Sequence, residues 1–169
     1  MKTLLVLRHG KSSWKHEELS DLARPIKSTG VKELIETASE FEKLKIKIDL
    51  VLSSPAVRAY GTTRIFLDQC KQESVEIKIV PELYYKGAKD ILKVIQGTKV
   101  KANSLMIVGH EPMLNELVCM CNNKTAIDLP TGTLFVLTFK TNQWKSIGKI
   151  KSVTCNSIVP KRHLFQHGD

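Results

Sequence analysis

Short runs of β-branched and aliphatic residues, each followed by a segment of helical period, constrain this chain more than any other feature. The runs are Lys2 to Leu7, Asp49 to Leu52, Val75 to Val80 and Ser104 to Val108. Between them, Val31, Leu34, Ile35, Ala38, Phe41 and Leu44 recur at steps of three and four. That spacing predicts one buried face of a long amphipathic helix, with Pro25 to Gly30 leading into it. Ser53-Ser54-Pro55 suits the start of a second helix, on which Ala59, Thr62, Thr63, Phe66 and Cys70 share a face. A weaker helix is expected from Asp90 to Ile95. Gly109-His110-Glu111-Pro112 then turns the fourth strand into a helix carrying Leu114, Leu117, Val118 and Cys121. Alternation of this kind predicts an α/β protein, a three-layer αβα sandwich around a mostly parallel sheet. Thr133 to Phe139 and Trp144 to Ile150 flank Lys140-Thr141-Asn142-Gln143, a link short enough for an antiparallel hairpin. Residues 1–160 are read as a single domain and 161–169 as a short tail.

Composition narrows the class. With 42% hydrophobic and 25% charged residues the chain reads as globular, neither disordered nor a membrane protein. Its apolar run Leu4 to Leu7 is too short for a signal core or a membrane span, so a cytoplasmic setting is expected. Cys70, Cys119, Cys121 and Cys155 show no C-x-x-C spacing and read as reduced thiols. Cys119-Met120-Cys121 lacks partners at zinc-finger spacing, so no metal site is expected. The formal net charge of +9 raises the question of an anionic partner. The lysines are spread along the chain and aromatics make up only 6%, which reads as solvated faces, with no specific nucleic acid or membrane partner.

LVLRHGKSS, Leu5 to Ser13, resembles the end of a phosphate loop only superficially. Such a loop needs a glycine five positions before Gly10, and Leu5 stands there. What remains is Arg8-His9-Gly10 at the carboxyl end of the first strand. Ser53-Ser54-Pro55 with Arg58 follows the second strand, and Gly109-His110-Glu111 follows the fourth. Two arginines and two histidines at one edge of a parallel sheet would make a small positive cavity suited to one phosphoryl group.

LVLRHGKSSW, DLARPIKSTG, SSPAVRAYGTT and VGHEPMLNEL, in that order over nearly the whole chain, resemble the successive motifs of the histidine phosphatase superfamily, related to the phosphoglycerate mutases. Within it they are most similar to the small SixA-type phosphohistidine phosphatases. The resemblance implies a phosphoglycerate mutase-like fold and a metal-independent phosphatase without cofactor, with His9 as nucleophile. An imidazole neutral near pH 7 has a free lone pair with which to attack phosphorus. Arg8, Arg58 and a protonated His110 would hold the phosphoryl oxygens, and Gly10 would let the backbone approach closely. Ser13 is expected to contribute to substrate binding. Arg24 would order the loop or line the pocket rim. Trp14 would either shape the pocket mouth or cover the core, while His16, His163 and His167 match no motif and read as surface residues.

Relatives that cleave alkyl phosphates use a carboxylic acid to protonate the departing alkoxide. Glu82 and Glu111 are the candidates here. Glu82 competes with a loop salt bridge, and Glu111 with a helix-start charge. A glutamate common in the family just after Glu82 is replaced by Tyr84 and Tyr85. A weak or absent acid favours a labile P–N bond, so the expected substrate is phosphohistidine on a protein such as a histidine-containing phosphocarrier, the enzyme acting as a monomer. The alternatives are a phosphatase for small phosphoesters or other phosphorylated side chains, a phosphate-binding module without turnover, and a nucleic-acid-binding protein whose affinity falls steeply with salt.

Overall fold

The run at Leu4 to Leu7 is apolar throughout because helices cover both of its faces. The computed structural model describes residues 1–15, 17–98, 101–125 and 127–164. In it, β1 (Lys2–Arg8), β2 (Leu50–Ser53), β3 (Ile77–Ile79), β4 (Ser104–Gly109), β5 (Leu134–Phe139) and β6 (Thr154–Ile158) form one sheet of order β3-β2-β4-β1-β5-β6. The pairs β3–β2, β2–β4 and β4–β1 are parallel, whereas β1–β5 and β5–β6 are antiparallel, so β5 alone runs against the rest. Successive side chains point to opposite faces. Leu4 and Val6 therefore join the layer of α4 (Ala88–Gln96) and α5 (Met113–Cys121). Leu5 and Leu7 join that of α1 (Ser28–Glu42) and α2 (Val57–Gln69). All four are 0% exposed, and burying each contributes roughly 1.5–3 kcal/mol before entropy is charged against it.

The first helix departs from its expected face. Gly30, Glu33, Leu34, Thr37, Ala38 and Phe41 are buried, while Ile35 and Leu44 are 40% and 49% exposed and Val31 is half-buried. Close approach by a neighbouring loop decides this, because a Cβ on Gly30 would lie 2.5 Å from the Lys11 carbonyl oxygen. Glu33 is held inside by the Thr131 hydroxyl at 3.3 Å and by Arg162 and His163, each at 3.4 Å.

The expected hairpin is also corrected. Trp144–Ser146 forms a short 3-10 turn, and the strand paired with β5 is Thr154–Ile158, in the register Leu137 opposite Cys155. Trp144 is buried because its indole N–H donates to the Ala102 carbonyl at 3.0 Å and its ring packs beneath the Lys2 ammonium. A one-turn helix, α3 (Glu82–Tyr85), follows Pro81 where the sequence indicates no element. His163 is not a surface residue: it lies in α6 (Lys161–Leu164), and its side chain is 13% exposed against Glu33. His16, His167 and the end of the expected tail, 165–169, lie outside the described residues. Among the described residues no helix is long and apolar enough to cross a membrane.

Candidate active site

Parallel strands that stop level with one another bring separate loops to one place. Arg8 stands opposite Gly109, and Ser53 opposite Val108. The pairing continues one residue further, with the His9 N–H on the Gly109 carbonyl at 3.1 Å and the Ser54 N–H on the Val108 carbonyl at 2.9 Å. His9, Ser54 and His110 are thereby set side by side at the carboxyl edge of the sheet, where open α/β sheets place their ligands.

His9 is 8% exposed, and its Nδ1 lies 2.7 Å from the Gly10 carbonyl oxygen. A carbonyl only accepts, so Nδ1 carries the proton and the Nε2 lone pair is free. Burial, with Arg58, Arg8 and Arg24 nearby and against the Gly10 hydrogen bond, pushes the His9 pKa down to about 4. The ring is neutral at pH 7. His110, 5.0 Å away between ring centroids, is pushed down to about 3 by burial and by His9 and Arg58. Its Nε2 lies 2.7 Å from the Ser54 hydroxyl, which already accepts the Ala56 N–H at 3.3 Å. One of the two donates across this bond, while the His110 Nδ1 is buried without a partner. At that pKa the His110 ring is neutral at pH 7.

Arg58 is the second residue of α2 and 5% exposed. Its Nη1 donates to the Asp21 carbonyl at 2.5 Å and its Nη2 to Asp21 Oδ2 at 2.9 Å. Arg24 donates from Nε to Asp21 Oδ1 at 2.9 Å and from Nη1 to the Ser12 hydroxyl at 2.9 Å, and its Nη2 makes an ion-pair contact with Oδ1 at 2.9 Å. The indole of Trp14, 70% exposed, lies 3.4 Å from the Arg24 guanidinium carbon, so Trp14 covers the rim and not the core. Tyr84 donates its hydroxyl to Asp21 Oδ2 at 2.9 Å and stands edge-on to His110. Burial raises the Asp21 pKa less than these partners, Arg58 foremost, lower it, and the carboxyl sits at about 2.

Three buried nitrogens at this edge lack partners: Arg8 Nε, Arg58 Nε and His110 Nδ1. Unpaired buried polar groups are costly and uncommon in folded proteins. Both guanidinium groups lower the His9 pKa electrostatically, and the His110 ring lies 5.0 Å from that of His9. Their natural complement is an anion with several oxygens.

The remaining sequence candidates sit further out. Ser13 accepts the Lys15 N–H at 3.1 Å and belongs to the loop scaffold. Glu111 Oε1 accepts the Asn115 N–H at 3.0 Å at the start of α5, and burial, opposed by that bond and by Arg8, raises its pKa. Glu82 precedes Tyr84 by two positions on α3, so their side chains leave the helix in different directions. The side chain from this turn that reaches the site is Tyr84.

Gly10 has its own reason. A Cβ there would lie 2.8 Å from Leu34 Cδ1 and 3.2 Å from the Gly30 carbonyl oxygen, so close packing against α1 favours the glycine. Gly132, at φ +74°, donates its N–H to the carbonyls of both Arg8 and His9 at 3.2 Å and fixes the backbone that carries them. Asp21 and Gly132 are positioning residues to which sequence reading assigned no role. Asp21 entered the sequence reading only as the first residue of DLARPIKSTG.

Known proteins share this fold. Residues 4–85 match the Histidine phosphatase superfamily (branch 1). The solved structure of the protein histidine phosphatase SixA complexed with tungstate superposes with a TM-score of 0.80 at 24% identity, covering 95% of this chain and 99% of that one. A Nakamurella multipartitia protein assigned as phosphohistidine phosphatase SixA follows at 0.77 and 21% identity, with 95% and 96% covered. At these identities the likeness establishes the fold. An uncharacterized chloroplastic protein of Arabidopsis thaliana is 27% identical over 124 residues, which are 73% of this chain and 55% of that protein. The chain spans about half the length of that curated relative.

Proposed function

We propose that this chain, a member of the histidine phosphatase superfamily, is a metal-independent phosphatase that forms a covalent phosphohistidine on His9 and draws the phosphoryl group from phosphohistidine on a protein. The observation that carries this reading is the set of three unpartnered buried nitrogens, on Arg8, Arg58 and His110, at the same sheet edge as a histidine kept neutral with its Nε2 lone pair free. The SixA structure it resembles holds tungstate, a tetrahedral oxyanion of the same shape as phosphate.

In the first displacement the His9 Nε2 lone pair forms a bond to phosphorus as the bond to the leaving group breaks. Negative charge spread over the equatorial oxygens meets Arg8, Arg58 and His110, groups already in place before the reaction. The phosphorylated His9 ring is then cationic, with its Nδ1 proton held by the Gly10 carbonyl. In the second displacement water attacks phosphorus, the P–N electron pair returns to Nε2, and the proton of the water passes to solvent. His9 leaves neutral and needs no acid.

The test is a time course of inorganic phosphate release, with EDTA present, from a phosphohistidine-bearing protein and from p-nitrophenyl phosphate. Release from the protein substrate that disappears in His9→Ala supports the reading. Faster turnover of alkyl phosphomonoesters than of phosphohistidine would move the substrate to small phosphoesters, and release from neither would reduce the site to a phosphate-binding module.

A further inference from the structure

The carboxylate of Asp21 is heavily engaged. Oδ1 accepts the Arg24 Nε–H, with Arg24 Nη2 in ion-pair contact, and Oδ2 accepts Arg58 Nη2 and the Tyr84 hydroxyl, each at 2.9 Å. Since a carboxylate held ionised can only accept, the Tyr84 proton points inward to Asp21. The lone pairs of the Tyr84 oxygen are left for the exposed side of the cluster, where the Asp21 side chain is 44% exposed. The Tyr84 ring stands edge-on to His110 at 5.6 Å between centroids, which sets it against the phosphoryl site.

We propose that the Tyr84 hydroxyl, its proton committed to Asp21, accepts a hydrogen bond from the N–H of a nitrogen leaving group, and that this acceptor sets a preference for phosphoramidates over alkyl phosphate esters. The inference rests on the His9 phosphoenzyme reading above and adds the basis of its selectivity. A phosphorylated imidazole protonated on its other nitrogen is cationic. As His9 Nε2 bonds to phosphorus, the P–N bond of the substrate breaks and its electron pair stays on the departing nitrogen. The ring leaves as neutral imidazole, its N–H still on Tyr84, and no proton moves. Tyr84 would then do for the leaving ring what the Gly10 carbonyl does for His9. An alkoxide needs a proton instead, and this hydroxyl has none to give.

The experiment compares wild type with Tyr84→Phe on three small substrates at about pH 6, where the imidazole ring of the first is largely protonated. They are phosphoimidazole, its 3-methyl analogue, which has no N–H, and p-nitrophenyl phosphate, each corrected for spontaneous hydrolysis. Wild type is expected to favour phosphoimidazole over the methyl analogue by about tenfold in kcat/KM, the worth of one hydrogen bond. Tyr84→Phe should lose that preference, with the ratio of phosphoimidazole to p-nitrophenyl phosphate falling by about the same factor. A variant that keeps the preference, or a wild type that lacks it while turning over all three, overturns the role of Tyr84 and leaves the phosphatase reading intact. Wild type that releases phosphate from a phosphohistidine-bearing protein but from none of the three overturns the role of Tyr84 alone, and inactivity on the protein as well overturns both.

Discussion

Two buried basic clusters sit at opposite edges of the same sheet, and they are satisfied to different degrees. At the amino edge Lys2 is 6% exposed, yet its ammonium donates to the Ala102 carbonyl at 2.5 Å and to Asn103 Oδ1 at 3.2 Å and lies over the Trp144 ring. A cavity of about 830 Å³, lined in part by Lys2, Lys101, Lys145 and Trp144, opens there. At the carboxyl edge Arg8 Nε, Arg58 Nε and His110 Nδ1 are buried without partners. Positive charge, burial and open volume are common to both or favour the wrong one. Unmet hydrogen-bonding demand separates them, and that marks where an anion belongs.

Substitutions at the two edges should separate them as sharply. His9→Ala is expected to lower turnover by at least about 10³-fold, since it removes the nucleophile, as measured by steady-state phosphate release. Arg58→Ala should cost about 10²- to 10³-fold in kcat, the usual effect of losing a donor to the charge that develops in flight. Comparable losses from Lys2→Met would erase the contrast between the edges.

Acid should act on the site edge through its histidines. His9 and His110 fall from an ordinary 6.5 to about 4 and about 3 in the folded chain, so between those values the unfolded chain binds more protons. Their contribution to stability is complete above about pH 6.5 and is lost as pH falls toward the folded values. At ~1.4 kcal/mol for each pKa unit, thermal unfolding from pH 7 to 4.5 should show a steep fall in Tm. The slope should flatten in His110→Asn, and a slope unchanged in that variant would contradict the account.

The smallest effect sharpens the comparison from the other side. Lys2→Met leaves the Ala102 carbonyl without one of its donors and is expected to cost about 1–3 kcal/mol of stability. Its kcat/KM should match wild type, and inorganic phosphate should still raise its Tm. In Arg58→Ala that phosphate-induced rise should be lost.

Legibility followed the range of the interactions. β1 could be read because a strand covered on both faces is apolar at every position, and the level strand ends made Arg8, His9 and His110 neighbours. The contact face of α1 was misread because Gly30, Glu33 and Thr37 make it, residues whose burial depends on Lys11, Arg162 and Gly132 far away in sequence. β6 escaped notice because TCNSI is a half-exposed edge strand with no apolar period to mark it. Asp21 and Tyr84 are 63 positions apart, and no local pattern announces a bond between them. The neutrality of His110 was not legible for a similar reason, because it comes from burial beside His9 and Arg58, which other strand ends bring to it.

The most direct test of the His9 phosphoenzyme is to trap it. Mixing the enzyme with phosphoimidazole, quenching in alkali within milliseconds and mapping the phosphoryl group by peptide mass spectrometry should find it on His9, stable to base and lost in acid. Phosphate release at full rate with no phosphoryl group on His9, or with the group on another residue, would contradict the account.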